Sequence, residues 1–549
     1  MRPDLSGIPE LELNLATRVA AGDSLTRAAS MFDTRTAVVD GSSRVSHRDL
    51  DEAATRTAHA LLAGGLERQE PVAMLMRNSW RMLASYFGCA KAALIAMPVN
   101  IALAPEAIAW ILADSGTRTV IADAEALPLV AAYLPEAPPG LRLIGVGEDL
   151  PAGVGGHRVE CWDDILADAP RTPVETIVED RDIVQCLYTS GTTSRPKGVL
   201  TSHVSVVIGA MTNAMQIGHQ WGAAPSTLLD VLPLCHTTAL TTLVIPVLFT
   251  GGTVILHAQF DPAAVLADLV HHRVTHTMLL PMMYRAMVAA HGDSDPIGTL
   301  RAAVYAMAPM PAGLRADVAE LFPSAAVILG SGQTEVVPAT VLQWPEHEHT
   351  KPDSWGPSVP TVETAIIGPD GARLKPGETG EIGYRGPHVM SGYWNNPEAN
   401  RAAFAHGWFH SGDIGYLDDE QVVWFTDRSK DIIKSGGENV SSVDVERVVS
   451  AAPGVAECTV IGVPDDHWGE AVCAVVVAAD PADPGEVAAL PDRVIAHAKA
   501  NLAGFQVPKR VIIVDELPKT ATGKTRKHVV RSTVQPTLPT ADKARGALP

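Results

Sequence analysis

From about Ser46 the chain alternates helical patterns with short apolar runs that stop at turn residues. This alternation restricts the fold more than any other feature. "HRDLDEAATRTAHALLAGGL" repeats apolar positions at helical spacing, whereas "EPVAMLMRNS", "AMPVN" and "TVIAD" are short extended runs. Strands separated by helices pair through crossovers, which predicts βα units and largely parallel sheets. The same texture returns at "THTMLLP" and "AAVILGSG". From about Thr361 to Tyr416, "AIIGPDGARLKPGETGEIGYRG" switches to short strands with glycine turns, a β-rich subdomain. "VVWFTDRSKDIIKSGGENV" then runs from a strand through a charged segment into a Gly-Gly turn. A domain boundary near Asp427 to Asp431 is expected. The expected organisation is a large domain over residues 1–427, a small α/β domain over 431–534 and a disordered tail over 535–549.

At 549 residues the chain exceeds one compact core. Its formal charge of −20 argues against nucleic-acid partners, because backbone affinity comes from lysines and arginines. Any anion site must be local. The six cysteines show no zinc-type spacing and read as buried reduced thiols. "ALTTLVIPVLFTGGTVIL" is broken by threonines, a proline and two glycines, so it predicts a buried helix, a turn and a strand, not a membrane span. With no signal pattern at the start, the expected location is the cytoplasm.

Chemistry concentrates in "YTSGTTSRPKG", Tyr188 to Gly198. Its glycines permit close backbone approach, its hydroxyls and amides can donate to oxyanions, and Lys197 adds a positive charge. Phosphate is the natural guest. The loop is not a Walker A sequence, since Lys197 stands between Pro196 and Gly198. Read alone, it could also be an ordinary surface Ser/Thr/Gly loop.

This loop resembles the phosphate-binding signature of the adenylate-forming superfamily, which includes acyl-CoA synthetases, peptide-synthetase adenylation domains and firefly luciferase. Further matches follow in the family's order: "LPLCHTTAL" with His236, "AMAPM" from Ala306 to Met310, "GSGQTE" from Gly330 to Glu335, "GWFHSGDIGYLDDE" with Asp413, "DRSKDIIKSGGENV" with Arg428 and Lys430, and "LPKTATGKTRK" with Lys524. They span roughly Ser30 to Arg531. The resemblance implies an α/β fold with a large N-terminal domain of mixed sheets and a small mobile C-terminal domain.

It also implies roles. Thr189, Ser190, Gly191, Thr192, Thr193 and Lys197 would hold the ATP phosphates; Ala308, Ser331, Gly332, Gln333 and Thr334 would lie around the nucleotide; Asp413 and Arg428 would take the ribose. Lys524 would be the adenylation lysine, with His236, Thr193 and Glu335 as the other catalytic residues and Glu335 holding Mg²⁺. His236, Thr237, Ala306, Met307, Gly330 and Val336 would form the acid pocket. Lys430 would be the hinge, and Lys434, Gly436 and Gly437 the face for coenzyme A.

These roles make physical sense. A carboxylate attacking the α-phosphorus of ATP joins two anions, so a cation touching both lowers the barrier. Magnesium favours hard oxygen ligands shared with phosphates, which suits Glu335. Taken singly, Lys524 could be a solvated lysine, Glu335 a helix-start carboxylate, and His236 a core histidine at a strand end.

Three residues depart from the pattern: Ser194 replaces a usual glycine, and Ser331 and Cys235 replace aromatic residues. Losing two rings predicts weaker nucleotide stacking or a bulkier acid. "EHEHT" reads as a solvated loop, and the basic run Lys519 to Arg531 as solvated or facing CoA phosphates.

The expected activity is an ATP-, Mg²⁺- and CoA-dependent acyl-CoA synthetase acting on an apolar fatty or aromatic acid. Two alternatives stay open: transfer to a carrier protein or an amine, and an inactive nucleotide- or acyl-binding regulator. No integral membrane segment is expected, and a homodimer is possible.

Overall fold

The computed structural model describes residues 4–189, 195–292, 294–307, 310–465, 467–519 and 524–534. In the first sheet, Pro71–Leu75, Ile95–Pro98, Thr119–Asp123 and Arg142–Val146 run parallel. Helices Trp80–Lys91 and Pro105–Ser115 make the crossovers. Ser79 caps the first of these by accepting the Met82 N–H, and proline sits at the start of the second, where its missing N–H costs nothing. This sheet has nine strands; toward one edge Ile183–Thr189 joins Ile95–Pro98 in parallel and pairs antiparallel with Lys197–Ser202, which pairs antiparallel with Gly392–Tyr393.

The second sheet has eight strands and is parallel from Thr36–Asp40 through Thr253–Leu256, Thr227–Asp230, His276–Leu279 and Ala302–Tyr305 to Ala326–Gln333. Between the two sheets lie helices His47–Ala63 and Trp80–Lys91. Leu50, Leu61 and Phe87 from these helices share one apolar cluster with Val72 of the first sheet and Leu229 and Val304 of the second. Phe87 is fully buried, and truncating such a side chain costs about 3–5 kcal/mol. The parallel βα reading of the sequence therefore agrees with both sheets.

A third, antiparallel sheet of five strands corresponds to the predicted β-rich subdomain and ends with Phe409–Leu417 against Val422–Arg428. Beyond it, Ile433–Ser435 begins a separate sheet built on Val455–Asp465 and Gly469–Ala478. Alternation divides the latter strand between two cores. Val472, Ala474 and Val476 pack with Val445 and Val494, while Ala471, Cys473 and Val475 face Val530 and Val534.

The segment from Ala239 to Leu256 does form a helix, a turn and a strand, but the helix begins as a π-helix over Thr238–Val244 before Ile245–Phe249. Pro246 has no N–H to return to the carbonyl of Thr242, four residues back. The side-chain amide of Asn213 donates to that carbonyl instead. π-turns of this kind gather at functional sites.

Candidate active site

The phosphate-loop motif sits on an antiparallel pair of strands. Thr189 lies opposite Lys197 and Tyr188 opposite Gly198. Gly198 is needed there, because a Cβ would meet Sγ of Cys186 and Cζ of Tyr188 at 2.9 Å and Cβ of Trp394 at 3.1 Å. Tyr188 donates to Asp114 at 2.7 Å, and the Trp394 N–H donates to the Gly198 carbonyl at 2.7 Å. The expected phosphate ligands Ser190, Gly191, Thr192 and Thr193, the departure Ser194, and the adenine-side Ala308 lie outside the described residues. Lys197 is described: its ammonium stands 4.8 Å from the centre of the Tyr393 ring.

Tyr393 also reaches the second motif. Strands Ala326–Gln333 and Val336–Leu342 pair through Gln333 and Val336, leaving Thr334 and Glu335 as the turn. The Glu335 carbonyl accepts the Met390 N–H at 2.7 Å, and its Oε1 accepts the Tyr393 hydroxyl at 3.0 Å. Thr334 is buried, and Gly332 is exposed beside it. An oxygen donor on a pinned turn beside the phosphate strand fits Mg²⁺, which takes few protein carboxylates and shares phosphate oxygens.

Asp413 and Arg428 face each other on neighbouring strands of the third sheet. Arg428 Nε lies 2.6 Å from Oδ1 of Asp413, while Gln333 donates to Oδ2 at 2.6 Å. Asp413 is only 2% exposed, so burial raises its carboxyl above the usual range, opposed by Arg428 and Gln333. Lys524 lies within electrostatic reach of Arg428, Asp413, Glu335 and Lys430, and its charge also acts on His236. The residue is solvent-accessible yet deep in this cleft, and enclosure lowers its ammonium from the ordinary lysine value, with Arg428 and Lys430 adding to the effect. One lysine of the small domain thus stands among residues from three motifs of the large one.

His236 follows strand Thr227–Asp230, and its Nδ1 accepts the Thr238 N–H at 3.2 Å. That bond assigns the ring proton to Nε2. Burial, with a smaller contribution from Lys524, lowers the ring to about 4, so it is neutral at physiological pH. Thr237 is buried, and its hydroxyl pairs with that of Thr241 at 2.7 Å.

Beside Thr238, two residues after His236, lies a small, narrow cavity of about 40 Å³. Asn213 and Ile217 line it from one helix and the residues after it, Thr238, Thr242 and Leu243 from the π-helix, and Met278, Val304, Gly330, Ser331, Ala339 and Leu342 from the second sheet. Of the residues expected around the acid, Gly330 is on this wall, whereas Val336 packs in a different core beside Val199 and Tyr384. Ala306 is buried in the main core, and Met307 adopts a positive φ of 69°, a strained conformation for a non-glycine residue. Ser331, expected beside adenine, also opens on the cavity.

Gly436 and Gly437 form the tight turn between Ile433–Ser435 and Glu438–Val440, both at positive φ as such a hairpin requires, and Lys434 lies within the first strand opposite Asn439. Lys434 is exposed, and Lys430 is among the charges acting on Lys524.

Sequence reasoning did not single out Tyr393, Asn213, Thr238 or Thr242. Tyr393 had a local signal: Gly392 precedes it, and Asn396 caps the helix that follows. Asn213 had a fainter one, an amide on the helix face that also carries the buried Val206, Gly209 and Ala210.

The family profile described as AMP-binding enzyme matches residues 25–394, and the AMP-binding enzyme C-terminal domain matches residues 444–524. The chain is 36% identical over 507 residues to a feruloyl-CoA synthase from an Amycolatopsis species, covering 92% of this chain and 97% of that protein. It is 35% identical over 499 residues to the long-chain-fatty-acid–CoA ligase FadD13 of Mycobacterium tuberculosis, covering 90% and 94%. Among solved structures, the anthranilate CoA ligase AuaEII in complex with anthranoyl-AMP aligns with a TM-score of 0.86 at 26% identity, over 95% of this chain and 99% of that one. ATP-bound MatB from Rhodopseudomonas palustris aligns with a TM-score of 0.82 at 27% identity, over 94% and 99%.

Proposed function

The chain belongs to the AMP-binding enzyme family, is an AMP-forming acid–CoA ligase using ATP, Mg²⁺ and CoA, and we propose that the residues described above divide its work as follows. The observation that carries the proposal is the convergence of Lys524 with Glu335, Asp413, Arg428 and His236. Relatives whose names specify a feruloyl, a long-chain fatty and an indoleacetate substrate support CoA as the acceptor and leave the acid to the pocket.

Asp413 holds the ribose hydroxyls by accepting from them, and the Arg428 guanidinium beside it keeps that carboxylate available despite its burial. Lys197 and the loop before it hold the terminal phosphates. Mg²⁺ held by Glu335 would offset phosphate charge as pyrophosphate leaves. The Lys524 ammonium touches both the acid carboxylate and the α-phosphate, stabilising the charge that develops between them. Neutral His236, with its proton on Nε2, can donate to the carboxylate without cancelling its nucleophilic charge. The products of this step are acyl-AMP and pyrophosphate.

In the second half-reaction the thiol of CoA attacks the acyl carbonyl, AMP leaves, and a thioester forms. The small domain, residues 431–534, turns about Lys430 so that the Lys434, Gly436 and Gly437 face replaces Lys524 beside the large domain, residues 1–427. Among the described residues no helix is long and apolar enough to cross a membrane, and the proposed location is the cytoplasm.

The test is acid-dependent pyrophosphate release, followed by transfer to CoA, a holo-carrier protein or amines. Thioester formation with CoA is the expected result. Adenylate formation with no CoA thioester would move the assignment to another acceptor.

A further inference from the structure

We infer that Asp427 is a positioning residue that holds the small domain in the orientation for adenylation, and that this hold is released before the thiol attacks. This rests on the ligase function above and deepens it. Asp427 stands on strand Val422–Arg428, one residue before the Arg428 that pairs with Asp413. It is only 1% exposed. Its Oδ1 accepts the Arg428 N–H at 2.7 Å, which fixes the carboxylate, and its Oδ2 accepts the Ser442 N–H at 2.5 Å. Ser442 is the first residue of helix Ser442–Ser450 in the small domain. The opening amides of a helix have no partner within it and carry its positive end, so a carboxylate there is both an acceptor and a favourable charge. The neighbouring Ser441 caps the same helix by accepting the Asp444 N–H, and its hydroxyl donates to the Thr426 carbonyl at 2.7 Å. Two adjacent residues of the large domain thus grip one helix end of the small one.

That helix end is tied to the lysine proposed for adenylation. The Lys527 ammonium donates to the Ser442 hydroxyl at 2.6 Å and pairs with Glu446 of the same helix at 2.9 Å. Lys527 follows Lys524 by three residues and opens helix Lys527–Val534, which Val530 and Val534 anchor in the small-domain core. The gripped helix end and Lys524 therefore move together. Burial raises the Asp427 carboxyl above the usual range, and the charge of Lys527 is the largest influence opposing it. A cation of the domain it holds thus favours its ionised form. Another pair across the boundary, Arg447 with Asp353 at 3.8 Å, joins two exposed side chains and contributes little by comparison. Turning about Lys430 carries Ser442 and Lys527 away from Asp427, so the contact favours one orientation over the other.

The experiment measures the two half-reactions separately in the full chain: acid-dependent pyrophosphate release with ATP and Mg²⁺, and thioester formation from supplied acyl-AMP and CoA. The acid is whichever of benzoate, 4-hydroxycinnamate and octanoate the wild type uses fastest. Asp427→Ala removes the grip from the large domain. Ser442→Pro removes the N–H from the small domain at the first position of a helix, where proline is otherwise tolerated. Each should slow pyrophosphate release by about tenfold or more, the effect of one hydrogen bond to a charged group, while thioester formation from acyl-AMP holds or rises. Asp427→Asn, which keeps the shape and an acceptor but not the charge, should fall between these variants and the wild type. The double variant Asp427→Ala/Ser442→Pro should be no slower than the worse single one, because both remove the same contact.

The inference is overturned if pyrophosphate release is unchanged in both single variants, if both half-reactions fall together in a folded variant, or if the two losses add in the double variant. A merely structural role lowers both half-reactions, whereas a hold on orientation divides them. Should Asp427→Ala fail to fold, Asp427→Asn and Ser442→Pro decide by the same division. If the wild type releases no pyrophosphate with any acid of the panel, the ligase function itself falls; if it does and the variants do not divide the half-reactions, only the role of Asp427 falls.

Discussion

Tyr393 donates its hydroxyl hydrogen to Oε1 of Glu335 at 3.0 Å while its ring lies 4.8 Å from the ammonium of Lys197. One side chain therefore positions both the carboxylate proposed for Mg²⁺ and the lysine proposed for phosphate. Its own backbone is held on both sides by Asn400, which accepts the Tyr393 N–H at 2.6 Å and donates to its carbonyl at 3.0 Å. The arrangement ties the strand Gly392–Tyr393 to the edge of the first sheet and to the Glu335 turn together.

Tyr393→Phe should raise the Mg²⁺ concentration needed for half-maximal pyrophosphate release. It removes the hydroxyl and keeps the ring under Lys197. A hydrogen bond to a charged group contributes about 1.5–3 kcal/mol, so a shift of about tenfold or more is expected. Tyr393→Leu, which also removes the ring, should raise the KM for ATP further. A Mg²⁺ titration of Tyr393→Phe that overlays the wild type would remove the hydroxyl from any positioning role.

Lys524→Ala should separate the two half-reactions. Lys524 is the small-domain cation among Glu335, Asp413 and Arg428, and removing one preorganised charge from such a site costs about 10²–10³ in rate. Acyl-AMP formation should fall by that order, while thioester formation from supplied acyl-AMP should stay within a few-fold of wild type. Equal activity in both steps would take Lys524 out of the chemistry.

The phosphate strand pair, Asp413 beside Arg428, and Lys524 were legible because each lies in a short ordered motif whose residue types already state its chemistry. The sheets were legible for a related reason, since periodicity is local. Tyr393 and Asn213 act across distances that no local pattern records. Tyr393 matters because its strand adds to Lys197–Ser202, and Asn213 because Pro246, 33 positions later, withholds an N–H from Thr242. The π-helix escaped for the same reason: apolar spacing fixes that Ala239 to Phe249 is a helix, whereas the proline and the Asn213 amide fix how it is wound. Val336 was expected near the acid from its neighbours in the motif, and the strand alternation directs it into the third-sheet core.

Stability should fall on the acid side of neutrality. Burial lowers His203, His236, His276 and His388 to about 4, whereas unfolded histidines titrate near 6.5. Between those values the unfolded chain binds protons that the native chain refuses, so unfolding free energy drops as pH falls from about 6.5 to about 4. Asp230, raised to about 8 by burial, acts in the opposite sense, as do the raised Asp123, Asp413, Asp427 and Asp444, while His47, His219 and His272 are lowered along with the four histidines above. The denaturant midpoint should be lower at pH 5 than at pH 7.5; an unchanged or higher midpoint at pH 5 would contradict these assignments. In kinetics, the lowered Lys524 should bring the alkaline loss of adenylation below the ordinary lysine value of about 10.4.

Gly436→Val should slow thioester formation and leave adenylation nearly intact. Gly436 has φ of 63°, where a β-branched residue is strained, and an added Cβ would lie 2.8 Å from Cε3 of Trp468. The Gly436 N–H donates to the Trp468 carbonyl at 2.8 Å, so relieving that clash must move the turn. A displacement of about 1 Å in a positioning element can cost about a hundredfold in rate. Rapid-quench measurement should show an unchanged pyrophosphate burst and a slowed, CoA-dependent second phase. Adenylation is the internal control, because it requires Lys524 on the same small domain and therefore reports that the domain has folded. A variant that loses both phases together would mean the turn supports the domain instead of the passage of the thiol.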